Sequence, residues 1–442
     1  MDPVEGGGEE DSLGEILGSL HLGDESEIED ANDHDRSVLD QTTDSQPQDA
    51  SFFLHDLSVE EPTASFPINY SLYKSTAVEC ERKGWNIRHY GLEESTEEEK
   101  WKYEQETRRH EMYRELLHPR SEKPEPSRSV SLLDATMATL HRIQEENRGR
   151  SFLDCEDGER PAIFHGLFMN EEVRARVDML EYLGNEEWGA VKINTEKFSL
   201  RDSKHFALAF SVYVVKKCGV RVTKAATVYG NAQFRKGMEA SRFFKREDVS
   251  AQIFGQGGSL QMLEGSSEES KSVAHVLLVT SQDDPPPVIV ETSCKKCQFF
   301  ESCHTRDLRH SIWELKGIQG QKLRELARIT KEIEELPGTV ELSPAHEIIR
   351  QSVNSSIPYI NHQKLGETLN AIVYPCFYLD FETIAPVFPW IEGTGPLKTM
   401  VFQYSLHRKT SQGEIQHLEY LADPNIDWRE HLLQHLLEAL GK

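Results

Sequence analysis

The alternation of hydrophobic and polar positions divides the chain after residue 66 into helical and strand-forming segments. Residues 71–90 and the charge-rich residues 93–117 are predicted to be helices. Further along, an apolar segment at residues 202–219 is predicted to be a helix. Three predicted strands precede this apolar helix, PAIFHGLFM, VRARVDMLEYL and EEWGAVKIN, and one follows it, VRVTKAATVYG. The pattern predicts an α/β fold with a central order of β-β-β-α-β.

A second apolar pattern begins near residue 374 with the strand YPCFYLDFETIAP. Asp380 and Glu382 interrupt this strand, and two-residue alternation places them on one face. Burying two carboxylates at the end of an apolar strand is costly unless a cation offsets their charge. Two more strands and a helix are predicted next, from TMVFQYSLHRK, GEIQHLEYLA and WREHLLQHLLEAL.

Charge and hydropathy then define the class of protein. The chain has 442 residues, 37% of them hydrophobic, and lacks an apolar run near the roughly 18 residues of a membrane-spanning helix. The formal net charge of -26 argues at first against a nucleic-acid partner. However, residues 1–65 are rich in acids and contain Arg36 as their only Lys or Arg, which predicts a disordered acidic tail. The remainder is far less acidic, so nucleic acid stays possible as a partner.

Four regions are predicted: the tail at residues 1–65, a first domain at 66–310, a helical connector at 311–365 and a second domain at 366–442. The acidic N-terminus MDPVEGGGEED resembles neither a secretory signal nor a mitochondrial presequence. We therefore expect an intracellular protein, cytoplasmic or nuclear, without a membrane partner. In a reducing compartment clustered cysteines are expected to bind metal.

The stretch CKKCQFFESC places Cys294, Cys297 and Cys303 at spacings of two and five residues. Thiolates at such spacings hold zinc or iron–sulfur clusters. Structural zinc sites typically pair two short Cys knuckles, so this layout favours iron–sulfur over zinc. Cys155, Cys218 and Cys376 have no ligand spacing, and His304 is expected at the surface.

The order β-β-β-α-β resembles the core of the PD-(D/E)XK nucleases. That resemblance implies catalytic roles for Asp178, as a ligand of Mg²⁺ or Mn²⁺, and for Lys192, which would stabilise charge at the phosphate. Ala190 stands where the family has a Glu ligand, and Ser211 where RecB-like members have Gln. Glu196 is the candidate replacement if the strand continues. The alternative is that Asp178 and Lys192 are ordinary exposed strand residues.

The cysteine run also resembles that of iron–sulfur nucleases related to the AddB subunit. In those proteins one cysteine before the nuclease core completes the ligand set, which implies Cys80 as the fourth ligand of a 4Fe-4S cluster. The cluster would then act as a clasp across a long segment of chain.

Paired Asp-x-Glu on an apolar strand is similar to the start of the DEDD exonucleases of the ribonuclease H fold. With the segments YPCFYLDFETIAPVFPWIEGTGPLKTMVFQYSLH, EYLADPNIDWREHL and KSTAVECERKGW, the chain resembles the family called domain of unknown function 2779. In that signature Glu81 replaces a usual Pro. Members join a RecB-like iron–sulfur nuclease module to a DEDD-type exonuclease-like domain, which implies Asp380 and Glu382 as catalytic metal ligands.

The sequence ends at Lys442, after the first helix of the second domain, so we expect a partial, inactive exonuclease module. The predicted function is that of a nuclease-family protein acting on nucleic acid, with DNA favoured over RNA and metal-dependent hydrolysis impaired. Two alternatives stay open, a noncatalytic nucleic-acid-binding or scaffold protein and a zinc-bound structural protein. No protein partner is indicated.

Overall fold

The computed structural model describes residues 66–91, 96–155, 158–194 and 205–441. The acidic tail predicted for residues 1–65 and the candidate ligand Glu196 lie outside the described residues. Two sheets organise the described chain, as the α/β prediction requires. We call the part built around the first sheet the first unit, and the part built around the second sheet the second unit.

The first sheet has five strands in the order β1-β2-β3-β4-β5. Strands β1, β2 and β3 are antiparallel neighbours, β3 and β4 are parallel, and β5 is antiparallel to β4. A helix joins the parallel pair, so the predicted β-β-β-α-β order is confirmed. The strands of this sheet are β1 Ala162–Met169, β2 Arg174–Gly184, β3 Glu187–Asn194, β4 Arg221–Gly230 and β5 Phe244–Asp248.

Twelve α-helices occur in the described ranges. None of them combines the length and the apolar character needed to cross a bilayer. The helices are α1 Tyr70–Tyr73, α2 Glu81–Tyr90, α3 Glu97–Leu117, α4 Leu132–Glu146, α5 Phe206–Lys217, α6 Ser250–Phe254, α7 Ser259–Leu263, α8 Val273–Thr280, α9 Gly320–Ile329, α10 Pro344–Ser355, α11 His362–Asn370 and α12 Arg429–Leu440.

Local sequence explains where the helices around the first sheet begin. At α3, Thr96 and Glu99 form a reciprocal capping box in which each side chain accepts from the other residue's backbone N–H. Ser131 caps α4 by accepting from the Asp134 N–H at 3.1 Å. Helix α4 is not among the elements predicted from the sequence, although its buried Leu140 follows an amphipathic pattern.

Apolar side chains cover both faces of the first sheet. On one face, Tyr73, Leu140 and Phe210 belong to a large cluster that joins α1, α4 and α5 to the strands. On the other face, Tyr113 of α3 packs in a smaller cluster with Phe243. The sheet is therefore a buried central layer, and polar groups on it need internal partners.

The predicted helix at residues 71–90 is interrupted at Cys80. A π-helical turn, Lys74–Glu79, follows α1, and Cys80 itself is extended, with φ -166° and ψ 122°. Helix α2 then packs against the chain that follows α8: Trp85 Nε1 donates to the Gln282 carbonyl at 2.7 Å, and Arg82 donates to the Pro286 carbonyl at 2.7 Å. These contacts join the start of the first unit to its end.

The second sheet has three antiparallel strands in the order β6-β7-β8. Helix α12 covers one face, where Tyr404, Leu406 and Trp428 are buried and Trp428 Nε1 donates to the Val401 carbonyl at 2.9 Å. The predicted order of three strands and a helix is confirmed. The strands are β6 Cys376–Ile384, β7 Met400–Lys409 and β8 Ile415–Leu421.

Phe388 anchors the second unit to the first. Its ring packs 5.4 Å from Phe234 and 5.3 Å from Phe243, measured between ring centroids. Beside it, the Lys236 N–H donates to the Thr394 carbonyl at 3.0 Å, and the Gly393 N–H donates to the Lys236 carbonyl at 3.1 Å. The chain between β6 and β7 is thereby fixed to the chain between β4 and β5.

A buried carboxylate on β2, Glu181, is neutralised by basic side chains. Glu181 is 1% exposed, and Arg246 makes two contacts of 2.7 Å to it, one to each carboxylate oxygen. Arg160 lies at 3.4 Å and His118 at 3.9 Å. Burial raises the pKa of Glu181, but Arg246, His118 and Arg160 outweigh burial, so its pKa is lowered.

We expect Glu181→Gln to lower the free energy of unfolding by about 3–5 kcal/mol, because it leaves the Arg246 charge unneutralised in the interior. This stabilisation is present above the unfolded-state pKa of about 4.3 and is lost as the pH falls through the lower folded-state pKa. Urea unfolding measures both effects.

The matched control is Arg221→Ala, which removes the exposed partner of Glu187 at 2.9 Å. It should cost no more than about 1 kcal/mol. Equal losses for the two variants would show that the Glu181 pair contributes no more than a surface pair.

Candidate functional site

Asp178 and Lys192, which the sequence analysis selects, form a buried ion pair between β2 and β3. Lys192 Nζ lies 3.0 Å from Asp178 Oδ1 and 2.9 Å from Oδ2. The Ile193 N–H donates to Oδ2 at 2.7 Å, and Asp178 is only 8% exposed. Lys192 therefore spans both oxygens of the carboxylate that would bind a metal ion.

Electrostatics keep both groups charged. Burial raises the pKa of Asp178, but the attraction of Lys192 and the hydrogen bond from the Ile193 N–H outweigh burial, so its pKa is lowered. Burial lowers the pKa of Lys192, but Asp178 outweighs burial and its pKa is raised. The pair is ionised at neutral pH.

Two buried histidines beside this pair are missed by the sequence analysis. His110 Nδ1 lies 3.2 Å from His165 Nε2, and His110 Nε2 lies 3.0 Å from the Ile193 carbonyl. His165 has a left-handed backbone, with φ 55°, inside β1. A signal existed for His165 alone, since it interrupts the apolar strand AIFHGLFM, whereas His110 lies in a helix of mixed charges.

Burial lowers the pKa of His110, and burial with the neighbouring His110 and Arg176 lowers the pKa of His165 well below its usual value. Both imidazoles are therefore neutral at neutral pH. Their hydrogen bonds connect His165 on β1 to His110 on α3, and His110 to the Ile193 carbonyl at the end of β3. These contacts fix the strand that carries Lys192.

The remaining positions of the nuclease pattern provide no second acid. Ala190 is completely buried in the apolar cluster, and the Ser211 hydroxyl donates to the Ala207 carbonyl at 3.2 Å. Glu106 on α3 approaches His110 Nε2 at 3.7 Å but is 41% exposed. Among the described residues no three His, Cys, Asp or Glu side chains are arranged to hold one metal ion. The arrangement around Asp178 does not fit a divalent cation.

The four predicted cysteine ligands line one cavity of about 500 Å³. Cys80 comes from the break before α2, and Cys294, Cys297 and Cys303 come from the segment after α8. Burial raises the pKa of the Cys294 thiol, and the nearby Cys80, Cys297 and Cys303 thiols raise it further. The structure thus brings together thiols that lie far apart in the sequence.

Basic side chains and a buried histidine also line this cavity. Arg82 and Lys296 line it with positive charge. The surface position expected for His304 is wrong, because this residue is 6% exposed. Its ring packs at a tilt against Phe300 and Trp313, with ring centroids 5.5 and 4.7 Å apart. Burial, with a smaller effect of Lys331, lowers the pKa of His304 to about 4.

The donor set around the cavity bears on which cofactor would fit. A single zinc ion needs its thiolates converged at about 2.3 Å from the metal, and the described residues contain no such mononuclear group. A four-iron cluster bonds each thiolate to a different iron atom, so its ligands stand around a larger volume. Four thiols around one cavity are the donor set that such a cluster takes, and the cluster assignment stays a prediction.

Asp380 and Glu382 lie on one face of β6, as predicted, opposite Ser405 and Gln403 of β7. Their expected burial is wrong, since both side chains are exposed and the Asp380 carboxylate accepts from the adjacent Phe381 N–H at 3.0 Å. The physical reason is that β6 is an edge strand with no layer over this face in the described structure.

The same open face carries further polar groups that the sequence analysis does not select. Glu419 of β8 lies opposite Ser405, and His407 stacks on His417 with ring centroids 4.4 Å apart. These residues do not converge with Asp380 on a metal site within the described ranges. Two of the predicted acids are thus displayed together, but no coordination sphere forms around them.

The buried histidines predict an acid-sensitive fold. Because folding lowers the pKa of His110 and His165 below an unfolded value of about 6.5, the unfolded state binds more protons below that pH. The free energy of unfolding should therefore fall between pH 7.5 and 5.5. We expect His165→Phe to reduce that fall by about 1 kcal/mol, measured by urea unfolding at both pH values. His141→Gln, which removes an exposed imidazole, is the control, and an equal effect of the two changes would contradict the assignment.

Comparison with known proteins concerns the second unit. No curated protein matches the chain. The resemblance of the first unit to iron–sulfur nucleases stays a prediction. Residues 377–442, which contain most of β6 together with β7, β8 and α12, match the family described as Domain of unknown function (DUF2779).

Proposed function

We propose that this chain is a nuclease-family protein that binds nucleic acid, with DNA favoured over RNA, and that carries a structural iron–sulfur cluster. One observation carries the proposal: Cys80 lines a single cavity with Cys294, Cys297 and Cys303, more than two hundred residues later in a chain whose first sheet begins with the order β-β-β-α-β. That combination matches what the resemblance to iron–sulfur nucleases implies.

In this proposal the four cysteines hold a 4Fe-4S cluster. The cluster supplies cross-linking, because its bonds would tie the chain before α2 to the chain after α8. Arg82 and Lys296 offset the negative charge of the thiolates. Trp85 and Arg82 already hold the two segments together through the carbonyls of Gln282 and Pro286, so the chain itself preorganises the cavity.

Hydrolysis at the first unit is impaired in this proposal. Metal-dependent cleavage needs carboxylate oxygens that are available to a cation. Here Lys192 engages both oxygens of Asp178, and Ala190 offers no ligand. The residues at this site therefore do not fit Mg²⁺ or Mn²⁺.

A noncatalytic binding or scaffold protein is the second candidate. It is favoured by the closed Asp178–Lys192 pair together with the open position of Asp380 and Glu382, which are both exposed on β6. In that case the nuclease fold would present a binding surface, and the acids of the second unit would need ligands from elsewhere to hold a metal ion.

The cluster has a direct spectroscopic test. Protein purified without oxygen should be brown, contain iron and sulfide, and absorb broadly in the visible range. Cys297→Ser and Cys80→Ser should each abolish the colour, because each removes one thiolate ligand. Cys376→Ser and Cys155→Ser are the matched controls, since neither residue lines the cavity. Colourless protein with stoichiometric zinc would overturn the cluster assignment.

The state of the first site can be separated from nucleic-acid binding. We expect the chain to bind a DNA strand and to cleave it barely or not at all with Mg²⁺ or Mn²⁺. Asp178→Asn should lower the free energy of unfolding by about 2–4 kcal/mol, because Lys192 loses its charged partner. Filter binding, gel-based cleavage and urea unfolding measure these three properties.

Ser211→Ala is the control for this test, since it removes only a hydroxyl bonded within α5. Robust metal-dependent cleavage that Asp178→Asn abolishes without a loss of stability would instead identify a working catalytic site. Absence of nucleic-acid binding would reject the proposed function itself.

A further inference from the structure

A second cavity, of about 490 Å³, lies where the two units meet. Its walls come from the chain between β4 and β5 and from the turn at residues 392–396 before β7. Three cationic side chains, Arg235, Lys398 and Arg429, line it. It is separate from the cysteine cavity and from the Asp178–Lys192 pair, with which it shares no residue.

The walls of this junction cavity are held in place by the contacts that join the units. Lys236 exchanges two backbone hydrogen bonds with the 392–396 turn, to Thr394 and from Gly393. Phe388, next to the turn, is packed into the apolar cluster of the first unit. A ligand in the cavity would therefore contact two units that are already docked.

Arg235 is fixed in the cavity wall. Its Nη1 donates to the carbonyls of Ala232 at 3.1 Å and Phe234 at 2.8 Å. The guanidinium lies against Gly395, where an added Cβ would come within 2.9 Å of Nη1. Glycine at this position permits the close approach, so the cationic group is positioned before any ligand arrives.

Arg429, the first residue of α12, is also oriented. Asp427 accepts from its Nε at 2.8 Å and from its Nη2 at 2.6 Å. Asp427 and this arginine attract one another, which raises the pKa of Arg429. The guanidinium thus has a defined direction and a permanent charge at the cavity wall.

Charge and lining indicate the ligand class. Lys236, whose ammonium lies 5.6 Å from the centre of the Phe388 ring, adds a fourth cation beside the cavity. Glu392 and Asp427 are the acids on this side, so cations predominate in a chain whose formal net charge is -26. No aromatic side chain of the described residues lines the cavity, which disfavours base stacking and favours an oxyanion.

We propose that the junction cavity binds phosphate groups of the sugar–phosphate backbone of a nucleic-acid strand. This inference rests on the proposed function and deepens it, since it assigns a strand-binding position to the interface between the units. Arg235 and Lys398 contact the phosphates, and the size of the cavity accommodates one nucleotide unit rather than a bare ion.

The test measures the affinity of the full-length chain for a fluorescent single-stranded DNA 20-mer across a range of salt concentrations. R235A combined with K398A should weaken binding about tenfold at low salt and reduce the salt slope by about 1.4, which corresponds to two phosphate contacts on a single strand. The control pair K322A and R328A removes the same charge from the exposed surface of α9 and should leave the slope unchanged.

A second variant keeps the charge constant. Gly395→Ala should weaken binding about threefold, because its Cβ displaces the Arg235 guanidinium, whereas Gly338→Ala, where a Cβ meets no atom within 4 Å, should not. Thermal unfolding confirms that each variant is folded.

The outcomes distinguish the inference from the function on which it rests. Strand binding by the unmodified chain that neither R235A/K398A nor Gly395→Ala weakens would overturn the junction site and leave the proposed function standing. No strand binding by the unmodified chain would reject both. A parallel titration with inorganic phosphate and a mononucleotide identifies the source, and binding of these but not of the strand would overturn the strand assignment.

Discussion

The packing of α2 against the chain after α8 is the constraint on which the first unit depends. Trp85 and Arg82 donate to carbonyls of the Gln282–Pro286 segment, and Tyr73 donates to the Lys271 carbonyl at 2.8 Å. These bonds close the chain around the five-stranded sheet and bring its first cysteine to the other three. Without that closure the cysteine cavity would have no wall on the α2 side, and one face of the sheet would lose the cover of α1. The same hydrogen bonds therefore hold both the cysteine cavity and the packing of α1 against the sheet.

Both buried acids of β2 are paired with a cationic side chain of the protein. In an open metal site such carboxylates would be available to a metal ion. Glu181 is matched by Arg246, and Asp178 by Lys192, so each carboxylate is stabilised by an internal cation. A metal enzyme leaves such oxygens for its ion and accepts the cost in stability. Here the Asp178 and Glu181 charges stabilise the fold. Any nucleic acid must therefore be bound by groups other than these two ion pairs.

The sequence predicted the chain order β-β-β-α-β and the later order of three strands and a helix, because each of those strands has an apolar period and each helix has its own pattern. It did not predict β5, whose sequence FKRED is mostly charged. The resemblance to nucleases implied that Asp178 accompanies Lys192 and that Cys80 joins the later cysteines, and the ligand roles of these residues stay predictions. The sequence could not predict His110 or the junction cavity, because their surroundings are created by packing between distant segments. Exposure of Asp380 was missed for the same reason: alternation gives the face of a strand, but only the neighbouring layers decide whether that face is covered.

The anchoring of Phe388 has a topological consequence. Helices α10 and α11 bury no residue, so the stretch of chain that they form does not position the second unit. The position is instead set by the Phe388 contact and the two Lys236 backbone bonds. The two units are consequently joined twice, once through the chain and once by packing. A break of a peptide bond between α10 and α11 would therefore leave a noncovalent complex of the two units. Insertions or deletions between α10 and α11 would be tolerated for the same reason, which frees this stretch of the chain to vary in evolution while the interface is preserved.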